Sequence, residues 1–437
     1  MTSPVHRYFD FARHETTVAR EALAGVATFL TMAYIIVVNP IILAGAGIPQ
    51  DASVTATIVA ATVGTLLMAV YAKRPFAIAP YMGENAFIVF TVVKGMGFSW
   101  QTALGAIFIA GVLFTVLTLL RVRGWLANAI PASLKHSFSV GIGLFITFIG
   151  LNETGIVALG VPGAPVALGN LADAKVLTAI AGFVLTAVLL ARRVHGALVA
   201  GILTTAVLSF IVGVAPWPTA LVSAPPSLAP IVGALDVRGA LTLEALPVVV
   251  IVFVMAFVDT IGTLIGLSSR AGLLDADGSL PEIEKPMLVD AVVNLVAPVV
   301  GTTTSGAYVE SAAGIAEGGR TGFTALVVAA LFALSLFLAP LLTAVPLHAT
   351  GVAMVALGVL MLRPVTQLDF DDPTELIPAF LVIALVSFTY NVGVGMTAGL
   401  LAHPVLKVLT GRVREVRAAQ WVLAAMAAGF FAVYPYR

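Results

Sequence analysis

Cysteine is absent from the 437 residues, which excludes disulfides, iron–sulfur clusters and thiolate chemistry. Charge is nearly as scarce. Only 10% of the residues are Asp, Glu, Lys or Arg, against about 25% in soluble domains. The 22 basic and 22 acidic residues cancel, so no basic face argues for a nucleic-acid partner. There is no GxxxxGK[ST] stretch to drive an ATP-powered pump. No His/Glu metal pattern, nucleophile elbow or Ser–His pairing stands within an apolar run, so neither an enzyme nor a cofactor or metal site is expected. A cleavable signal pattern is also missing: about twenty polar and charged residues precede the first apolar run.

What remains is apolar. Hydrophobic residues make up 60% of the chain and the mean hydropathy is +1.07, the composition of an all-α polytopic membrane protein. About 14 transmembrane segments can be read, at 22–45, 54–71, 75–93, 100–120, 128–151, 173–191, 196–214, 246–267, 287–300, 301–316, 323–340, 346–362, 375–390 and 391–409. The apolar stretch 420–435 is short for a crossing and is expected to be re-entrant or interfacial. With the N-terminus inside, eighteen of the 22 Lys and Arg residues fall on one side and only Lys94, Lys175 and Arg238 on the other, with Arg437 unassigned. That side is therefore cytoplasmic, which fits multi-pass insertion in a cell membrane (inner or plasma). Residues 151–172 and 215–245, Pro/Gly/Ala-rich, are placed outside. In the loop 268–286, Asp275 and Asp277 begin like a calcium loop, but the later ligand positions fail the pattern, so a solvated loop is expected.

Two of the spans are interrupted. "RPFAIAPYMGENAFIVF" (74–90) carries Pro75 and Pro80, which remove backbone donors and push their predecessors toward extended structure. "VVGTTTSGAYVESAAGIAEGG" (299–319) has three β-branched threonines and then Ser305-Gly306. Glu84-Asn85-Ala86 aligns with Glu310-Ser311-Ala312, each following an extended stretch. The two are third in the first seven spans and third in the second seven, and an odd number of spans per repeat inverts the second half. Interrupted spans at matching places in inverted halves mark a transporter's midplane site. Extended backbone is tolerated at that depth only if the segments pair or line a cavity. Half-helices opening there would turn N–H groups toward a flat, acceptor-rich ligand.

The eighth span adds "FVDTIGTLIG" (257–266), with Asp259 inside an apolar helix and Thr263 one turn on. Intramembrane carboxylates are functional candidates by default, and a desolvated one can carry a proton. Each candidate has a plainer reading beside it. Asp259 could only join helices, Glu310 could be a strut, and Glu84 could serve structure or gating. Asn39, before Pro40, could only satisfy carbonyls freed by a kink. The histidines at span ends carry no ligand role, and Gly141, Gly143 and Gly150 favour close helix packing.

At these residues the chain resembles a known family. "TMAYIIVVNPIIL" (31–43), "SLKHSFSVGIGLFITFIGL" (133–151), "FVDTIGTLIG" and "YVESAAGIAEGGRTG" (308–322) are similar to the AzgA-like adenine/guanine/hypoxanthine permease branch of the nucleobase–cation symporter family. The likeness runs from about Glu15 to His403. It implies two inverted seven-span repeats, with short antiparallel strands and half-helices in spans 3 and 10. It also implies a core domain from residues 1–127 and 246–342, and a gate domain from 128–245 and 343–437. The implied function is secondary active import of a purine base, coupled to H+ or Na+, with H+ expected. The base would be bound by Asp259 and Glu310, with Glu84, Asn85, Ala86, Ser311, Thr263 and Phe87 around it. Asn39, Thr304 and Tyr308 would support them, and Asp259, Glu310 or Glu84 would carry the coupling proton. Thr263 stands where uracil-type relatives have histidine. Glu84 departs from the pattern, since relatives commonly have an apolar residue between that glycine and asparagine. Purine N–H groups suit carboxylate acceptors, and Phe87, Tyr81, Tyr308 or Phe257 could stack on the ring. A permease for xanthine, uracil or another base is the alternative, and an anion transporter or channel on a related inverted-repeat fold is the rival from another class. The bilayer is a partner, and a homodimer is left open.

Overall fold

The computed structural model describes residues 4–120, 130–161, 164–273, 280–389 and 391–433. Arg121, Arg123, Asp275, Asp277 and Arg437, and the expected domain boundary at 127/128, lie outside the described residues. Among the described residues nine helices are long and apolar enough to cross a bilayer. Shorter helices at Ala197–Val212, Glu284–Val300 and Pro373–Phe388 supply further crossings. The two interrupted segments complete fourteen, an all-α membrane fold in two inverted halves.

Among the described residues, four short strands form two separate ribbons. Strand β1 (Ile78–Pro80) pairs antiparallel with β4 (Ser305–Ala307), in the register Ile78 with Ala307, Ala79 with Gly306 and Pro80 with Ser305. The expected extended stretches of spans 3 and 10 thus meet each other. Strands β2 (Val157–Val161) and β3 (Ala164–Leu168) make an exposed hairpin after the fifth span. That hairpin was not expected; its VALGV and APVAL runs lie in a connection whose proline and glycine content read as loop.

Helices sort by packing. Ala132–Thr154 packs along Leu347–Met361 and Pro373–Phe388, while Trp100–Leu119 packs on Glu284–Val300 and Leu246–Arg270. Close approaches come from small residues: a Cβ on Gly150 would meet the Met354 side chain at 2.9 Å, and one on Gly143 the Met361 side chain at 2.7 Å. The first span bends between Val18–Met32 and Ile35–Ala44, where the amides of Ile36 and Val37 bond three residues back, to Ala33 and Tyr34. The last helix, Ala418–Val433, lies against Val392–Leu409 and Leu246–Arg270. Leu423, Ala427 and Phe430 are its buried face, so the stretch expected to be re-entrant or interfacial is a helix docked on two crossings.

Candidate functional site

A two-stranded ribbon inside a protein leaves two outer edges of N–H and C=O groups without a neighbouring strand, each costly when unpaired and buried. Here side chains close both edges. On the β1 edge, Thr65 takes the Ile78 N–H at 2.9 Å and donates its hydroxyl to the Ile78 carbonyl at 3.1 Å. Pro80 has no N–H to satisfy, and its carbonyl accepts the Tyr308 hydroxyl. On the β4 edge, Asn294 accepts from the Ser305 N–H at 2.8 Å and donates to the Ser305 carbonyl at 2.9 Å. Asp290 accepts from the Ala307 N–H at 3.2 Å. The pairing extends past the strands, with the Tyr81 amide donating to Thr304 and the Tyr308 amide to Ala77. Gly306 is required by a close approach: a Cβ there would run into the Tyr81 ring.

The crossing fixes where each candidate goes. Short helix Met82–Ala86 follows β1 and continues as a π-helical stretch, Phe87–Gly95. Glu84 stands in this short helix, fully buried, and the helix packs on Leu246–Arg270, which carries Asp259. Asp259 itself is partly exposed, as are Thr263 and Glu310. Glu310 follows β4, and its Oε1 receives the Tyr34 hydroxyl at 2.9 Å. The rings of Tyr81 and Tyr308 lie nearly parallel, 6.1 Å apart and 8° from coplanar orientation. Asp290, Asp259 and Glu84 lie around Tyr81, and Glu310, Glu84 and Asp259 around Tyr308. Asp259, Glu84 and Glu310, far apart in sequence, are therefore brought near the same pair of tyrosines.

The remaining candidates hold that site in shape. Asn85 donates to Asn39 and accepts from Thr303. Asn39 in turn donates to Thr57 at 2.7 Å and Thr302 at 3.1 Å. This buried network ties spans 1, 2, 3 and 10 together, so both polar ends of Asn85 are engaged within the protein. Ser311 accepts the Ala77 N–H at 3.0 Å. Ala86 and Phe87 are buried, and Phe87 reaches toward Gly393. The helix Ser311–Ala316 has only six residues.

Asp290 and Asn294 were missed by sequence reasoning. A carboxylate and an amide one turn apart in span 9 share a helix face, and that was the available signal. Asp290 also accepts the Thr260 hydroxyl at 2.9 Å, so it grips both β4 and the span that carries Asp259. Glu21, at the start of span 1, was missed too. It is buried and accepts from the Arg320 and Thr321 amides and the Thr321 and Thr324 hydroxyls, tying the two halves together at that end.

Several buried polar atoms at the crossing have no partner: both Glu84 oxygens, Glu310 Oε2, Asp290 Oδ1, the Tyr81 hydroxyl and Thr304 Oγ1. Buried polar groups are nearly always satisfied, so this cluster of three carboxylates and two hydroxyls marks the crossing as the candidate ligand site.

Paired half-spans around such a site define an inverted-repeat membrane transporter. The transmembrane domain of the cyanobacterial bicarbonate transporter BicA has the same fold, with a TM-score of 0.66 and 14% identity over 87% of this chain and 97% of that one. The chain belongs to the permease family (Xan_ur_permease), whose sequence profile matches residues 19–401. It is 39% identical to the adenine permease AdeQ of Escherichia coli, over 96% of this chain and 94% of AdeQ. It is 41% identical to the guanine/hypoxanthine permease PbuO of Bacillus subtilis, over 93% of this chain and 96% of PbuO. This is a multi-pass membrane permease and not an enzyme.

Proposed function

We propose that the protein imports purine nucleobases by proton-coupled secondary transport, with Asp259 and Glu310 holding the base. The observation that carries this reading is the cluster of unpartnered buried carboxylate and hydroxyl groups at the strand crossing. Adenine, guanine and hypoxanthine each present N–H donors beside acceptors. The carboxylates of Asp259 and Glu310 take the donors, and the Tyr81 hydroxyl can serve a ring nitrogen or O6. The purine specificities in the names of AdeQ and PbuO support the substrate class.

We assign the movement to two bodies. Spans 1–4 and 8–11 form a core body that carries the ribbon and site. Spans 5–7 and 12–14, built on the Ala132–Thr154 and Leu347–Met361 contact, form a gate against which the core shifts. The N-terminus lies on the cytoplasmic side of the cell membrane. Tyr8 bonds Val70, Lys73 bonds Tyr8, and Phe9 and Phe11 pack on Phe323. The N-terminal segment therefore shares an end with Lys73, Arg74 and Arg320, as the positive-inside rule requires.

The test is purified protein in proteoliposomes, given tritiated adenine, guanine, hypoxanthine, xanthine and uracil under an imposed pH gradient, acid outside. Accumulation of at least one purine, collapsed by a protonophore, is expected. Accumulation of pyrimidine alone, or indifference to the pH gradient, overturns the reading.

A further inference from the structure

The connection between spans 7 and 8, whose proline and glycine content reads as loop, is laid along one end of the core body. The Thr55 hydroxyl, at the start of span 2, donates to the Pro226 carbonyl at 3.0 Å. The Ser223 amide donates to Phe337, past the end of span 11, at 3.0 Å. The Gly233 amide reaches Val299 of span 9 at 2.7 Å, and the Asp236 amide reaches Gln101 of span 4 at 2.8 Å. The short helix Val237–Ala240 packs on span 4, where Gly105 lets the Asp236 carbonyl come close. From Ser223 onward the connection is therefore fastened along the core. Before Ser223 it belongs with the gate. The Val214 and Ala215 amides return to Ser209 of span 7 at 2.8 and 3.2 Å, and the Trp217 ring lies 5.2 Å from that of Phe210. Residues 219–222, between the two attachments, are exposed.

Ile231 is 0% exposed in the middle of this strap. It fills the space over Gly301, where a Cβ would meet its side chain at 2.6 Å. Gly301 ends span 9 in left-handed backbone, at φ +94°, and leads straight into the extended half of span 10. Thr302, Thr303 and Thr304 of that half are buried. Extended backbone and hydroxyls at such a place would hold a file of water if a channel reached them. The opposite end of the core repeats the arrangement. Span 2 ends at Lys73, at φ +54°, the extended half of span 3 follows, and the N-terminal segment closes on that turn through Tyr8, bonded to Val70 and Lys73.

We propose that residues 223–240 are a fixed seal over the extended half of span 10, with Ile231 as its plug, and that they travel with the core while 218–222 serve as the hinge to the gate. This rests on the two-body transport reading above, in whose orientation the strap lies at the outer end. A permease driven by an ion gradient must not let water and protons pass beside its site, and each interrupted span opens a weak place in the core. Because the strap is bonded to the core, movement of the core against the gate leaves the plug seated, and the flexing falls on 218–222. The base then enters between the two bodies, and the end of the core stays shut throughout.

The absence of cysteine allows one defined cross-link. Thr55→Cys/Pro226→Cys, oxidised with copper phenanthroline in proteoliposomes, ties the strap to span 2. The probes are tritiated adenine, guanine and hypoxanthine, at equal pH for exchange and under a pH gradient for accumulation, with a trapped dye reporting internal pH. The linked protein is expected to keep exchange and accumulation within about threefold of its reduced form. Loss of exchange on linking, restored by dithiothreitol, would make the strap a lid that opens in each cycle and overturns the proposal. Ile231→Ser removes the plug and offers water a hydroxyl. It is expected to admit protons with no base present, severalfold faster than the wild type, and to keep exchange while losing accumulation. Ile231→Leu is expected to stay tight. If Ile231→Ser is not recovered folded, Ile231→Ala is measured instead, with the same leak expected. A folded serine or alanine variant that stays tight, or that loses exchange without leaking, overturns the proposal. If the wild type moves no base at all, the transport reading fails instead.

Discussion

The Tyr34 hydroxyl donates to Glu310 Oε1 at 2.9 Å, joining the bend in span 1 to the residue that follows the crossing strand of span 10. Thr31 reaches the Glu310 backbone carbonyl from the same helix at 3.3 Å. One oxygen of Glu310 is thereby fixed in direction while Oε2 is left open. A carboxylate aimed this way can meet a ligand donor without first losing its own rotational freedom.

Tyr34→Phe removes that aim and leaves the ring in place. A hydrogen bond to a charged group contributes about 1.5–3 kcal/mol, so base affinity is expected to fall by roughly ten- to a hundredfold. Equilibrium binding of tritiated base to the purified variant, with protein yield unchanged, is the check.

Asn294→Leu removes both hydrogen bonds to Ser305 and leaves a strand edge unpaired in an apolar interior. The cost is about 1–3 kcal/mol per orphaned group, so a clear drop in thermal midpoint is expected, with transport lost. Asn294→Asp keeps the acceptor for the Ser305 N–H alone and is expected to fall between.

At the far end of the gate helices, Lys407 is only 2% exposed and lies 2.8 Å from Glu375, 3.0 Å from Glu415 and 3.6 Å from Asp372. Lys407→Met leaves those carboxylates without their shared cation. Removing one partner of a buried ion pair costs about 3–5 kcal/mol, and the lower figure is expected because Ser133 and His403 still reach Glu375. Thermal unfolding in detergent measures it.

The same cluster sets an acid limit. The Thr374 hydroxyl and Arg412 hold the Asp372 carboxyl well below the usual carboxylate range, and Arg412 and Lys407 lower Glu415. Carboxyls depressed in the folded state contribute stability above their unfolded values of about 4. That contribution disappears as pH falls through the lower folded values. The thermal midpoint is therefore expected to be level from neutrality to about pH 5 and to decline below about pH 4. Arg412→Ala is expected to lower the plateau and flatten the decline. An unchanged acid limb in Arg412→Ala would show that other groups set it.

The interrupted spans were legible because proline, glycine and β-branched residues speak locally about backbone. Pro75, Pro80 and the 302–304 threonines announced extended structure, and a carboxylate after each announced a site. Asp259 was legible because ionised groups are costly in a bilayer. Thr65, Asp290 and Asn294 were not, because their role exists only once β1 and β4 stand side by side and expose two edges. Nothing in a threonine of span 2 says that it will bond Ile78. The same holds for Asn85, whose polar ends meet Asn39 and Thr303 from distant parts of the chain. The β2–β3 hairpin was hidden by the composition that marked its segment as loop.

The central claim is that Asp259 of span 8 and Glu310 of the broken span 10 hold one purine beside the crossing strands. Its most direct measurement is equilibrium binding of tritiated adenine, guanine and hypoxanthine to purified wild type, Asp259→Asn and Glu310→Gln at matched folding. Each variant is expected to lose affinity by at least about a hundredfold, as when a charged hydrogen-bond acceptor is replaced, while its thermal midpoint stays near wild type. Wild-type affinity in either variant would contradict the account.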